Sequence, residues 1–326
     1  MTLQEIQSIT FGAAYIEEQD GQIIFHRFTK QQEEMYQQRN TEFYKKAFAT
    51  AGIFMEFTTD STTLSMSAIV TPGSSRKFFT HSIYVNQERI GEITSEFAEN
   101  ETNKSVHGTF DLGSGTKQVK IYFPWSAASR LTDFSLDPGC VITPVAKEKN
   151  ILIFGESITQ GYDAETPEFS YASRLAERLH ANARNKAIGG EIFWPELAAA
   201  RDTFAPDLIT VAYGTNDWSH CTTENFRANS HGFYENLCHA YPDTPIFALA
   251  PIWRADIDGP RPMGAFTNVR DYFLELSKEF PQITVLDGID YLPHETGYFS
   301  DLYLHPNDAG FHYYADGLWK KLSTHL

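Results

Sequence analysis

Four apolar residues, Ile151 to Phe154, run without a polar break and stop at Gly155-Glu156-Ser157. A short unbroken apolar run closed by turn residues is the pattern of a parallel strand buried on both faces, and such a strand needs helices on either side of its sheet. Ser157 then stands at the carboxyl end of a strand, on the rim where open α/β sheets bind their ligands. Two readings of it stay open at this point. A serine there can be a nucleophile, or it can simply cap the helix that follows.

The chain after residue 150 repeats this arrangement. A helical stripe of Tyr171, Leu175 and Leu179 with Ala172 and Ala176 follows the first strand, and a second strand is expected near Ala183 to Ile188, ahead of Gly189-Gly190. Leu208–Tyr213, Ile246–Ala250 and Ile283–Leu286 read as the next three strands, with helices over Glu224–Ala240, Val269–Phe280 and Ala309–Leu322. Strands and amphipathic helices in alternation predict a three-layer, flavodoxin-like parallel sheet.

Residues before about 145 have another character. Gln22–Phe28, Gly52–Phe57, Thr63–Val70, Ser82–Val85 and Lys117–Phe123 are short, rich in β-branched and aromatic residues, and bounded by Gly, Pro, Asn, Asp or Ser. Val119, Ile121 and Phe123 share one face and Lys120 and Tyr122 the other, as in a half-buried antiparallel strand. A β-sandwich over residues 1–147 is the economical fold, with the α/β domain over 148–326. Gln31 to Phe48 has neither period and reads as a helix or an ordered loop. Gly113-Ser-Gly-Thr-Lys117 is too short for a phosphate loop and is followed by a strand, so a hairpin turn is expected.

Composition narrows the partners. A formal charge of −16 argues against nucleic acid or an anionic membrane surface, and no apolar run approaches a membrane span. Cys140, Cys221 and Cys238 show no metal-type spacing and cannot all pair within one chain, which favours a reducing, cytoplasmic setting. The N-terminus lacks a basic segment followed by an apolar one, so no signal peptide is expected. His231, Glu235 and His239 would share a helix face, but histidines eight apart make a poor metal site, and no metal is assigned.

The strand ends deliver Ser157, then Gly189 and Gly190, then Gly214 and Asn216, and the last loop delivers His305 ahead of Pro306. A nucleophilic serine needs a base and at least two donors for the oxyanion, and these residues supply all of them. Asp301, four residues before His305, is placed to accept from the other ring nitrogen. Trp194, Trp218 and Trp253 follow the second, third and fourth strands and read either as core or as the floor of a sugar cleft.

Gly155-Glu-Ser157, Asn185-x-x-x-Gly189-Gly190, Gly214-Thr-Asn216-Asp217 and His305-Pro306, in this order, resemble the blocks of the SGNH (GDSL-type) hydrolase superfamily. The front half is similar to the N-terminal jelly-roll of its two-domain carbohydrate esterases. The resemblance implies Ser157 as nucleophile, His305 as base, and an oxyanion hole made by the N–H groups of Ser157 and Gly190 and the Asn216 amide. It implies no cofactor. Two departures stand out: Glu156 replaces the usual aspartate, and Leu302 holds the place three before the histidine where the family's acid sits. A local bulge would bring Asp301 into that role; otherwise a backbone carbonyl orients the ring. The activity implied is hydrolysis of short acyl esters, acetyl on sugars first, with a small ester or acetylated saccharide as partner and homo-oligomerisation left open. A broad small-acyl esterase or thioesterase, and a carbohydrate-binding protein with a degenerate hydrolase domain, are the alternatives.

Overall fold

A computed structural model describes all 326 residues. They form two compact units, 1–148 with 166–168 and 182–184, and 149–165 with 169–181 and 185–326. No helix is long and apolar enough to cross a membrane.

The front unit holds α1 (Leu3–Ile9), α2 (Lys30–Arg39) and α3 (Thr41–Ala47). Its strands are β1 (Thr10–Phe11), β2 (Tyr15–Gln19), β3 (Gln22–His26), β4 (Phe54–Thr59), β5 (Thr63–Pro72) and β6 (Phe78–Val85), then β7 (Glu88–Glu96), β8 (Lys104–Asp111), β9 (Lys117–Tyr122), β10 (Ala127–Leu136) and β11 (Ile142–Pro144). One antiparallel sheet runs β1-β4-β9-β6-β7 with β11 beside β4; the other runs β2-β3-β10-β5-β8. The period-two pattern decides which side faces the other sheet. Leu64, Met66, Ala68 and Val70 of β5 meet Met55, Phe57, Val119 and Ile121 in one buried apolar core.

Three details differ from the sequence reading. Gln31–Phe48 is two helices, broken at Asn40, whose side chain accepts from the N–H groups of Glu42 and Phe43 and so starts α3. The Gly113–Lys117 turn is no hairpin: β8 pairs with β5 and β9 with β4 and β6, so it carries the chain from one sheet to the other. Finally, β9 is covered on both faces, because Lys120 and Tyr122 are buried as well. Lys120 lies 3.3 Å from Glu56 and 4.4 Å from the Phe54 ring, and burial pulls its ammonium down to about 8 despite the neighbouring carboxylate.

The rear unit alternates strand and helix. Its elements are β12 (Lys149–Gly155), α4 (Ser157–Gln160), α5 (Tyr171–Arg178), β13 (Ala181–Asn185), α6 (Pro195–Ala199) and β14 (Leu208–Ala212). After these come α7 (Thr215–His220), α8 (Thr223–Ala240), β15 (Ile246–Ala250), α9 (Asn268–Glu279), β16 (Ile283–Asp287) and α10 (Asp308–Leu322). The sheet order is β13-β12-β14-β15-β16, the flavodoxin-like order, and strand β12 is buried from Ile151 to Gly155. The second strand ends earlier than expected because the Asn185 side chain accepts from Ala187 N–H and turns the backbone away. Lys186 and Asp202, both fully buried, form an ion pair at 2.5 Å in this unit.

Candidate active site

Each predicted side chain is placed by the local chain around it. Strand β12 stops at Gly155, where a Cβ would lie 2.2 Å from the Thr159 hydroxyl oxygen, so only glycine lets α4 fold back this tightly. Ser157 opens that one-turn helix, which ends at Gly161 with φ 110°. As the first helical residue it has an N–H with no acceptor in its own helix.

His305 sits on a loop closed by an antiparallel bridge between Phe299 and Pro306, with Ser300 N–H donating to the His305 carbonyl at 2.9 Å. Leu302 in this loop has φ 66°, the left-handed region, which absorbs the additional residue between acid and histidine. Asp301 Oδ2 lies 2.7 Å from His305 Nδ1, and His305 Nε2 lies 2.8 Å from Ser157 Oγ. The other Asp301 oxygen accepts from the N–H groups of Tyr303, Leu304 and His305. Burial pushes this carboxyl up, but the ring and these backbone donors outweigh it and hold Asp301 well below the usual carboxylate range. With Asp301 ionised, Nδ1 carries the proton, and Nε2 is left to accept from the serine hydroxyl.

Two of the predicted oxyanion donors, Gly190 N–H and the Asn216 amide, keep a hydrogen to give. Gly189 N–H is already spent on Gln160 Oε1 at 2.8 Å, whereas Gly190, at φ 90°, has an N–H with no acceptor in the protein. Asn216 gives one amide hydrogen to the Glu191 carbonyl at 2.9 Å, which fixes the side chain and leaves the second hydrogen uncommitted. Its backbone N–H donates to Glu156 Oε2 at 3.3 Å. Glu156 therefore caps the N-terminus of α7, and its role is to hold Asn216 rather than to move a proton. Asn216→Ala removes one of the three proposed donors, and kcat should fall by about 10²–10³, with about 1–3 kcal/mol of stability lost as the buried Glu191 carbonyl gives up its partner.

Burial pushes the Glu156 carboxyl well up, as does the charge of Asp217, against the pull of the Asn216 N–H and Arg254. Asp217 itself is driven up to about 7, first by burial, although Phe193 N–H donates to it at 3.2 Å. A carboxyl raised from 3.8 to about 7 binds its proton more tightly in the folded state. Its contribution to stability is complete below pH ~4 and is lost as pH rises to ~7, at up to about 1.4 kcal/mol per unit. Urea unfolding of Asp217→Asn at pH 5 and pH 8 should show a smaller loss than the wild type. Equal losses would remove Asp217 from this account.

Sequence reasoning missed two residues that touch His305. The Tyr162 ring stacks on the imidazole with centroids 5.6 Å apart, and Gly189 makes room for it, since a Cβ there would sit 2.4 Å from the Tyr162 hydroxyl. Asp163, at φ 70°, places Oδ2 3.9 Å from His305 Nδ1, so a second carboxylate faces the same ring nitrogen. Both follow Gly161, and only the left-handed turn signalled by that glycine hints at them.

The three tryptophans part company. Trp218 is a correction: it is 0% exposed, packs against Phe266, and donates from Nε1 to the Gly264 carbonyl, so no face is open to a sugar. Arg254 and Arg261 lie 5.1 and 4.9 Å from its ring. Trp253 is half-buried with His294 stacked on it at 5.2 Å, and Trp194, also half-buried, precedes α6. His231 of the candidate histidine pair lies 2.9 Å from Glu279, and the three cysteines are free thiols.

The sequence profile of the GDSL-like Lipase/Acylhydrolase family matches residues 153–313. No curated protein sequence matches the chain. Among solved structures, the chain is similar to the salicylyl-acyltransferase SsfX3 from a tetracycline biosynthetic pathway, with TM-score 0.81 and 18% identity over 97% of this chain and 94% of that one. It is also similar to a family two carbohydrate esterase from Cellvibrio japonicus, with TM-score 0.67 and 15% identity over 97% and 94%. A family two carbohydrate esterase from Clostridium thermocellum, in complex with cellohexaose, aligns with TM-score 0.64 and 18% identity over 84% and 94%. These likenesses extend through both units and share their fold.

Proposed function

With residues 153–313 belonging to the GDSL-like lipase/acylhydrolase family, and the chain therefore an ester hydrolase, we propose that it removes short acyl groups, acetyl above all, from sugar hydroxyls. The observation that carries the reading is the continuous relay from Asp301 through His305 to Ser157, at 2.7 and 2.8 Å.

In the proposed reaction His305 Nε2 takes the Ser157 proton as Oγ attacks the ester carbonyl. The oxyanion accepts from Ser157 N–H, Gly190 N–H and the Asn216 amide. Imidazolium, stabilised by Asp301, then protonates the departing sugar oxygen. Water, deprotonated by the same ring, releases acetate from the acyl-serine in the second half. No step calls on a cofactor. The carbohydrate esterases among the structural neighbours support the sugar assignment, and the three free thiols support a reducing compartment as the place of action.

Acetate release from p-nitrophenyl acetate and from acetylated xylo-oligosaccharides tests substrate class. Turnover of both is expected; turnover of the activated ester alone would keep the chemistry and move the substrate elsewhere. The likeness to an acyltransferase favours a second reading, in which a hydroxyl acceptor replaces water in the second half. Transfer of the acyl group to an added alcohol in preference to water would select it.

A further inference from the structure

A cavity of about 520 Å³, apart from Ser157, His305 and Asp301, lies within the front unit. That volume falls within the ~300–1,000 Å³ of small-molecule sites. Its floor is the sheet face turned away from the sandwich core. Register sets Glu17, Ile24 and Arg130 in one row across β2, β3 and β10, and Tyr15 beside His26 in the next. Thr71 of β5 pairs with Ala128 two residues along β10. Glu33 of α2, Tyr44 of α3 and Phe48 close the wall.

The charges lining this cavity are unevenly satisfied. Glu33 accepts from the Tyr15 hydroxyl at 2.7 Å and lies 2.8 Å from His26 Nδ1. Glu17 lies 3.5 Å from both Lys30 Nζ and His26 Nε2. Arg130 has no such partner: its guanidinium makes no hydrogen bond or ion pair, and its Nε is buried unsatisfied. A guanidinium whose Nε is buried and unmet is costly unless a ligand meets it, and its planar fork suits a carboxylate. Glu33 is engaged by Tyr15 and His26, and Glu17 by His26 and by Lys30 outside the cavity, which leaves Arg130 as the charged group in the lining without a partner. The rest of the lining is mixed, with Gln19 and Thr71 to exchange hydrogen bonds and Ile24, Tyr44 and Phe48 to take an apolar ring face. Hydroxyl edges and a flat C–H face are the two sides of a pyranose.

The geometry points to a binding site in the front unit for a carboxylated sugar, a hexuronate, whose carboxylate meets Arg130. The site is independent of the esterase chemistry, so its test does not rest on that assignment.

Isothermal titration of the full chain with glucuronate and with glucose decides it. Glucuronate should bind tighter by roughly ten- to a hundredfold, the range expected when a charged hydrogen bond is gained. Arg130→Gln should erase the preference, and Tyr44→Ala should weaken glucuronate without changing its preference over glucose. Both variants should unfold thermally within a few degrees of the wild type, which reports that they are folded. Equal affinity for the two sugars, no binding of glucuronate, or undiminished binding by Arg130→Gln would each overturn the proposal.

Discussion

Ser157→Ala is expected to lower kcat for p-nitrophenyl acetate by about 10⁴–10⁶, with the residue left over coming from the oxyanion donors and binding alone. The fold gives no reason for a compensating loss of stability. Ser157 is 5% exposed and its hydroxyl meets only His305, so the variant gives up one hydrogen bond and gains no cavity larger than an oxygen atom. Unchanged thermal unfolding together with lost turnover separates the nucleophile from a helix cap. A cap lost from a one-turn helix would move stability by about 1 kcal/mol and leave the rate alone.

Asp301→Asn carries the second largest effect. Asparagine can keep the backbone acceptor role toward Tyr303, Leu304 and His305 through its carbonyl, so the loop that positions the ring survives. What is lost is the negative charge on the Nδ1 side. The amide can then turn its NH₂ toward the ring, force the proton onto Nε2, and leave nothing to accept from Ser157. In a serine protease triad the same exchange costs about 10⁴ in kcat. Here Asp163, 3.9 Å from the same nitrogen, limits the damage. The single variant should fall less far than Ser157→Ala, and Asp163→Asn combined with Asp301→Asn should fall further than the product of the two single losses. KM should change little in the single variant, because the lost interaction matters only as imidazolium forms. A double variant no slower than Asp301→Asn alone would leave Asp163 without a part in the site.

The side chains proposed for catalysis were legible because each lies where backbone rules confine it. Ser157 and Asn216 follow buried strands at glycine breaks, and His305 precedes a proline at a helix start. The placement of Asp301 was readable only as a requirement for one residue of slack, which the positive φ of Leu302 supplies. Trp218 stayed open between core and sugar platform in the sequence because its burial depends on a distant segment, Arg254 to Phe266, folding over it. Nothing in local sequence carries that information. The same holds for α2, whose polar residues give no clear apolar stripe: its Glu33 and Tyr36 are buried by the sheet and its surroundings, not by a pattern of their own. In the front unit alternation found five strands and missed β1, β2, β7, β8, β10 and β11. The exposed, charged β7 and the alternating polar residues of β8 reveal themselves only through their neighbours.

The acyl-enzyme itself is the most direct test. Wild-type protein mixed with p-nitrophenyl acetate, quenched in acid within the first turnovers and measured by intact mass and peptide mapping, should carry a single acetyl group on the peptide that contains Ser157, and Ser157→Ala should carry none. Steady turnover with the acetyl group on another side chain, or an equal adduct on Ser157→Ala, would contradict the assignment of Ser157 as nucleophile.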